Sequence, residues 1–189
     1  DYVKEGDSVK VMIVSMENSG KISLSIKKAL EALTTSVDYE LYQTQGVGDA
    51  TSFVKKYCEG YTEPVRFYAC GGDGTLNEVV SGTIDYPFAY VGLIPKGTGN
   101  DFVRNFTNKD RFFDIDAQIK GSPITVDLLA CNDRYAVNMI NIGFDCEVVK
   151  KMVQIKRSPL VPSKLAYIFG LVICLVKKPG LKATVYIDG

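Results

Sequence analysis

The chain has 189 residues, with 22 basic and 22 acidic side chains and no histidine. That composition excludes Ser-His-Asp and Cys-His catalysis and any histidine metal ligand. With 46% apolar and 23% charged residues it reads as a globular protein with room for one large domain or two small ones. Cysteines stand at 58, 70, 131, 146 and 174, an odd count with no CxxC pair, which points to reduced thiols in a cytosolic protein. The charge is uneven. Residues 150–189 hold eight Lys or Arg against the single acid Asp188, a surplus that suits anionic lipid head groups or nucleic acid, or is simply a solvated face. Position 1 is not Met, so the native start is expected to lie further upstream, and no signal peptide is visible.

In chain order, Val9–Ser15 is a short apolar run that reads as a buried strand. Ile22, Ile26, Ala29, Leu30 and Leu33 recur at helical spacing, so a helix is expected over Lys21–Thr34. Val37–Gln43 reads as a second strand, and Asp49 as the cap of a helix running to about Cys58. Val65–Cys70 is a third strand, followed at once by Gly71-Gly72-Asp73-Gly74 and a helix from Thr75. Phe88–Ile94 is a fourth strand, with Pro95–Gly99 as its loop and a helical stretch opening at Asp101. Strands alternating with helices at this spacing predict a parallel α/β sheet, whose ligands bind beyond the carboxyl ends of the strands.

After about Ser122 the pattern changes. Ile124–Cys131 and Arg134–Ile142 flank the turn signal Asn132-Asp133 and read as a hairpin. A helix near Cys146–Lys156, an apolar helix over Lys164–Lys178 and a strand over Leu181–Asp188 follow. The boundary is placed near Gly121–Pro123, giving domains 1–121 and 122–189, the second incomplete. The apolar core Leu165–Val176 is too short for the roughly 20 residues of a membrane span.

Two loops carry the chemistry. In Gly71-Gly72-Asp73-Gly74-Thr75-Leu76-Asn77-Glu78 the glycines let backbone N–H groups approach an anion at a helix N-terminus, which makes a phosphate cradle. Asp73 repels phosphate directly and makes sense with Mg²⁺ between them. Thr75 and Glu78 have the spacing of a capping box. Pro95-Lys96-Gly97-Thr98-Gly99-Asn100-Asp101 repeats the plan. The Thr98 hydroxyl can donate to phosphate, and Asp101 either binds metal through water or caps its helix. Neither a Walker A sequence nor a Gly-x-Gly-x-x-Gly after the first strand is present.

These two segments together resemble the catalytic-domain signature of the diacylglycerol kinase family, with Gly97–Asp101 favouring the lipid branch over NAD kinases and phosphofructokinases. Thr44, Gly48–Thr51, Val126-Asp127 and Asn138–Gly143 extend the match. The resemblance implies a three-layer NAD kinase-like nucleotide-binding domain followed by the start of a β-sandwich lipid domain. It implies ATP contacts at Ser19, Gly20, Thr44, Gly71, Gly72, Asp73, Gly74, Thr75, Asn77, Glu78, Gly97 and Thr98, and Mg²⁺ held through Asp73, Asp101 and Asp127. The family's Asn-Pro before the matched Ser19-Gly20 is replaced by Met16-Glu17, and an acid there opposes phosphate. The catalytic base is expected beyond Gly189.

The implied reaction is transfer of the ATP γ-phosphoryl group to a lipid hydroxyl, its charge stabilised by amides and Mg²⁺ and its proton taken by a carboxylate. The implied partners are a lipid substrate and a membrane surface met peripherally from the cytoplasm, with no nucleic acid and with a homodimer as one assembly. The helix over Lys164–Val176 either lines a lipid cleft or packs in a core. Two alternatives stay open: an NAD kinase-like enzyme for a soluble substrate, and an inactive nucleotide- or lipid-sensing module.

Overall fold

The near-continuous apolar runs of the first and third strands dictate a sheet covered on both faces. The computed structural model describes residues 10–15, 38–156, 166–177 and 184–186. Strands β1 (Lys10–Ser15), β2 (Asp38–Gln43), β3 (Val65–Gly71) and β4 (Ala89–Pro95) form one parallel sheet in the order β2-β1-β3-β4. Every residue of β3 is buried, as expected of a central parallel strand with helices on both sides.

On one face Met12, Val14, Phe67, Ala69 and Leu93 pack with Ala50 and Val54 of helix α1 (Asp49–Glu59) and Leu76 and Val79 of α2 (Asp73–Thr83). On the other, Val11, Ile13, Tyr68, Cys70 and Ile94 meet Ile119 of the short helix α3 (Ile115–Lys120). Each large apolar side chain buried here contributes about 1.5–3 kcal/mol. Helices α1 and α2 cross closely because residue 82 is glycine. A Cβ there would sit 2.8 Å from Val54 Cβ and 2.9 Å from the Thr51 carbonyl oxygen.

The buried Arg66 guanidinium ties α3 to the sheet, donating to the carbonyls of Gln118, Ile119 and Gly121 at the helix's carboxyl end. There a cation meets both the last unpaired carbonyls and the negative end of the dipole.

Four strands and the helix after β2 lie within a residue or two of the sequence expectation. Other elements differ. Helix α2 begins at Asp73, with Gly72 as its N-cap, and not at Thr75. The stretch after Asp101 is a single 3-10 turn, 102–105, followed by a second over 109–113. Neither that second turn nor α3 has a strong periodic signal in the sequence, being too short for one. The hairpin is confined to β5 (Leu129–Cys131) and β6 (Arg134–Ala136), with Asn132 at φ 54° supplying the left-handed turn residue. The expected helix over 21–34 lies outside the described residues. So does most of the expected strand 181–188, whose described residues 184–186 are not in a strand.

The chain divides into two compact units, Asp1–Asn138 and Met139–Gly189, so the stretch around Gly121–Pro123 lies inside the first. In the second unit α4 (Phe144–Lys156) and α5 (Ala166–Lys177) pack together through buried Val148 and Cys174. Gly170 of α5 closes on the backbone of α4, where a Cβ would lie 3.0 Å from the Val148 carbonyl oxygen. No helix among the described residues is long and apolar enough to cross a membrane.

Candidate phosphate-binding site

The register aligns the carboxyl ends of all four strands: Ser15 pairs with Gln43 and Cys70, and Gly71 with Pro95. β1 has β2 on one side and β3 on the other, so the connections leaving neighbouring β1 and β3 run in opposite directions. Such a switch point opens a crevice at the carboxyl edge of a parallel sheet. The candidate residues Thr44, Gly71–Asp73 and Pro95–Gly97 all follow that edge.

The two glycine loops meet there backbone to backbone. A Cβ on Gly72 would lie 3.2 Å from Gly97 Cα, and one on Gly97 would collide with Gly72 Cα. The Gly71 carbonyl accepts from Lys96 N–H at 2.8 Å and Gly97 N–H at 3.2 Å. Asn100, at φ 51°, wraps its amide around Gly97, accepting from Gly97 N–H at 3.0 Å and donating to the Gly97 carbonyl at 2.8 Å. The second loop therefore does not repeat the first as an amide cradle, since the Lys96 and Gly97 amides face inward. It braces the first loop. Asn100 is a site residue whose role the sequence reading missed. The available signal was an asparagine closing a glycine turn, a residue that tolerates left-handed backbone.

The opening turn of α2 presents N–H groups that no preceding helical turn accepts, together with the positive end of the dipole. Leu76 N–H makes the first helical bond, to the Gly72 carbonyl. Thr75 is 3% exposed and packs beneath Gly71, where a Cβ on Gly71 would collide with its side chain. No side-chain bond caps the helix, so the expected Thr75–Glu78 capping box does not form. The helix starts three residues earlier than that motif requires, with Gly72 in the extended backbone usual for an N-cap, so Thr75 lies inside the helix.

Asp73 Oδ1 accepts from Phe102 N–H at 3.0 Å and so caps the 3-10 turn from across the loops. Asp101 does not cap that turn with its side chain; it pairs with Arg104 at 2.8 Å. Both carboxylates turn their other oxygen toward exposed Gly99. A Cβ built there would lie 3.2 Å from Asp73 Oδ2 and 3.5 Å from Asp101 Oδ2. Two carboxylate oxygens on one patch suit a hard divalent cation that keeps several waters. Among the described residues no three His, Cys, Asp or Glu side chains form a metal-binding group, so exposed Asp127 does not complete a set with Asp73 and Asp101.

The remaining candidates divide by what they touch. Thr44 is buried at the end of β2 and gives both its N–H and its hydroxyl to the Ser15 carbonyl. Asn77 donates to the Tyr135 carbonyl at 3.2 Å and accepts from Val137 N–H at 3.1 Å, docking the chain at β6 onto α2. Glu78 Oε1 accepts from Gly48 N–H at 2.9 Å. Gly74 and Thr98 are exposed. Ser19, Gly20 and the Met16-Glu17 substitution lie outside the described residues. A cavity of about 610 Å³ runs along edge strand β4, bordered by Tyr68, Tyr90, Phe102 and Phe112, but it excludes Gly71–Thr75 and Pro95–Asp101.

A parallel four-strand sheet with two braced glycine loops at its carboxyl edge, one opening a helix, defines an α/β protein. The diacylglycerol kinase catalytic domain model matches residues 10–131, and the chain belongs to that family. A diacylglycerol kinase of Staphylococcus epidermidis (strain RP62A) is 38% identical over 131 residues, 68% of this chain and 38% of that protein. One from Staphylococcus carnosus (strain TM300) is 39% identical over 109 residues, 57% of this chain and 35% of its own length. The chain thus spans well under half of these curated relatives. A crystal structure from Bacillus anthracis str. Sterne covers 67% of this chain and 44% of its own with a TM-score of 0.51 at 23% identity, which supports the fold.

Proposed function

We propose that this chain carries the nucleotide-binding part of a lipid kinase that moves the γ-phosphoryl group of ATP onto a lipid hydroxyl. The observation that carries the proposal is the contact of Gly72 with Gly97, by which the second loop braces the glycine loop that opens α2 into a fixed platform. Phosphoryl transfer needs positioning and electrostatic stabilisation more than covalent help from the protein, and such a platform supplies both. The amides opening α2 would hold phosphate oxygens, and the exposed Thr98 hydroxyl would donate to another. Asp73 and Asp101 would hold Mg²⁺, which when bound offsets the charge of the phosphate groups. The lipid acceptor would come from the curated relatives' shared substrate class, met at a membrane surface from the cytoplasmic side. The division into residues 1–121 for nucleotide and 122–189 for lipid belongs to this reading.

Radiolabelled ATP incubated with the full-length protein and a mixed lipid extract tests it, with NAD as a parallel acceptor. Label in the lipid fraction that disappears with Asp73→Asn is the expected result. Label on NAD and none in lipid would replace this reading by a soluble-substrate kinase. Binding of Mg·ATP with no transfer to either would make the protein a sensor.

A further inference from the structure

We propose that Glu78 is a positioning residue, whose carboxylate holds the loop 44–48 in the form that receives the nucleotide without itself touching it. The proposal rests on the nucleotide reading above and deepens it.

The loop after β2, Thr44-Gln45-Gly46-Val47-Gly48, has little to shape it from within. Gly48 sits at φ 84°, and neither Gly46 nor Gly48 has any atom within 4 Å of a would-be Cβ. Val47 at the tip is 94% exposed, so apolar packing does not hold the loop. Three anchors hold its N–H groups, and α1 adds Asp49 N–H to the Gly46 carbonyl and the Ser52 N–H and hydroxyl to the Gly48 carbonyl. Thr44 hangs from the Ser15 carbonyl through its N–H and hydroxyl. Gln45 N–H donates to Asp49 Oδ2 at 2.7 Å, and the Tyr42 hydroxyl donates to the same oxygen at 3.1 Å. Partial burial and the Asp49 carboxylate hold the Tyr42 phenol above its ordinary range, which keeps it a donor. The third bond is Gly48 N–H to Glu78 Oε1 at 2.9 Å.

The Glu78 bond alone comes from the helix that opens with the phosphate loop. Glu78 lies five positions after Asp73 on the same helix, so the helix that would present amides to phosphate also fixes the neighbouring loop. Thr51 strengthens the join by donating its hydroxyl to the Glu78 carbonyl at 2.9 Å. Glu78 is not open to a ligand: Oε1 is engaged and Oε2 is sealed from solvent without a hydrogen-bond partner.

The test uses the full-length protein, with Mg·ATP binding by calorimetry, steady-state kinetics, and amide hydrogen exchange without nucleotide. Glu78→Ala should speed exchange over residues 45–48 and raise the Kd for Mg·ATP by about tenfold or more. It should raise KM while leaving kcat within about threefold, the pattern of lost binding common to ground and transition states. Glu78→Gln keeps an oxygen for Gly48 N–H and should recover most of the affinity. An unchanged Kd in Glu78→Ala, unchanged exchange over 45–48, or Glu78→Gln as weak as Glu78→Ala would each overturn the role. If Glu78→Ala fails to fold, Glu78→Gln decides alone, and a loss of about tenfold in its affinity overturns the proposal. A wild-type protein that does not bind Mg·ATP overturns the nucleotide reading itself. Binding by wild type with an indifferent Glu78→Ala overturns only Glu78.

Discussion

Gly72 and Gly97 pack backbone against backbone, so that a Cβ on Gly97 would collide with Gly72 and one on Gly72 would lie a tight 3.2 Å from Gly97 Cα. The atoms a Cβ on Gly97 would meet include Gly72 Cα and N, which belong to the main chain and cannot swing aside. Gly97→Ala should therefore part the loops, destabilise the fold by about 1–3 kcal/mol and weaken Mg·ATP binding by roughly tenfold or more. Gly74→Ala is the steric control, since nothing lies within 4 Å of its would-be Cβ. Thermal unfolding of both variants checks the difference; equal melting temperatures would show that the contact does not hold the loops.

Asp73 has two separable jobs, one on each oxygen. Its Oδ1 caps Phe102 N–H, and its Oδ2 faces the Gly99 patch shared with Asp101. Asp73→Asn retains an acceptor for Phe102 and loses the charge. It should melt within about 2–4 °C of wild type, the shift expected for roughly 1 kcal/mol, while phosphoryl transfer falls by roughly 100-fold. Asp73→Ala should also lose the cap, with a further cost of about 1–3 kcal/mol. Chemical denaturation beside a transfer assay reads both effects; full activity in Asp73→Asn would remove the proposed metal role.

The sheet was legible because β1, β3 and β4 announce themselves by apolar runs and β2 by interleaved polar and apolar residues, while the helices after β2 and β3 open on a glycine and an aspartate. The two glycine loops were legible because glycines between a strand and a helical turn allow close backbone approach, although in the second that approach is to Gly72. What remained hidden depends on the third dimension. Asn77 and Glu78 adjoin in sequence and read alike as ligand contacts, yet one docks the β6 backbone and the other fixes Gly48, 60 and 30 residues away. The inward turn of the Lys96 and Gly97 amides follows from the Gly71 carbonyl, which only strand pairing brings alongside. The apparent Thr75–Glu78 capping box failed for a local reason, because the N-cap stands at Gly72 and Thr75 is already inside the helix.

Arg66 carries a positive charge into the protein with only 9% of its surface exposed. Its guanidinium serves the carbonyls of residues 118, 119 and 121, and Gln118 in turn donates to the Leu93 carbonyl on β4 and the Phe112 carbonyl in the second 3-10 turn. Truncation to Ala strands several carbonyls without donors and should cost about 2–4 kcal/mol. Lys lacks the planar fork that reaches three acceptors and should rescue less than half of that. Urea midpoints with unchanged slopes would report the effect; a midpoint for Arg66→Ala equal to wild type would show the contacts contribute nothing.

Cys58 is buried on α1 between the sheet and the helix layer, and desolvation pushes its thiol from the ordinary 9.0 up to about 11. The neutral thiol is therefore favoured by the fold. Its contribution is intact below pH 9, where the unfolded chain also keeps the proton. It falls as the unfolded thiol ionises and is lost once pH passes the folded value of about 11. Tyr68 is shifted in the same direction by burial, so it adds to the alkaline loss. Stability measured from pH 8 to 11 should thus decline, and Cys58→Ala should flatten part of that decline even if it lowers the starting value. Exposed Cys131 should meanwhile react with a thiol reagent at pH 8 well before Cys58. A Cys58 that reacts as fast as Cys131 would mean that helix α1 opens readily, because no other route exposes a side chain packed against Phe67 and Val79 in the same core.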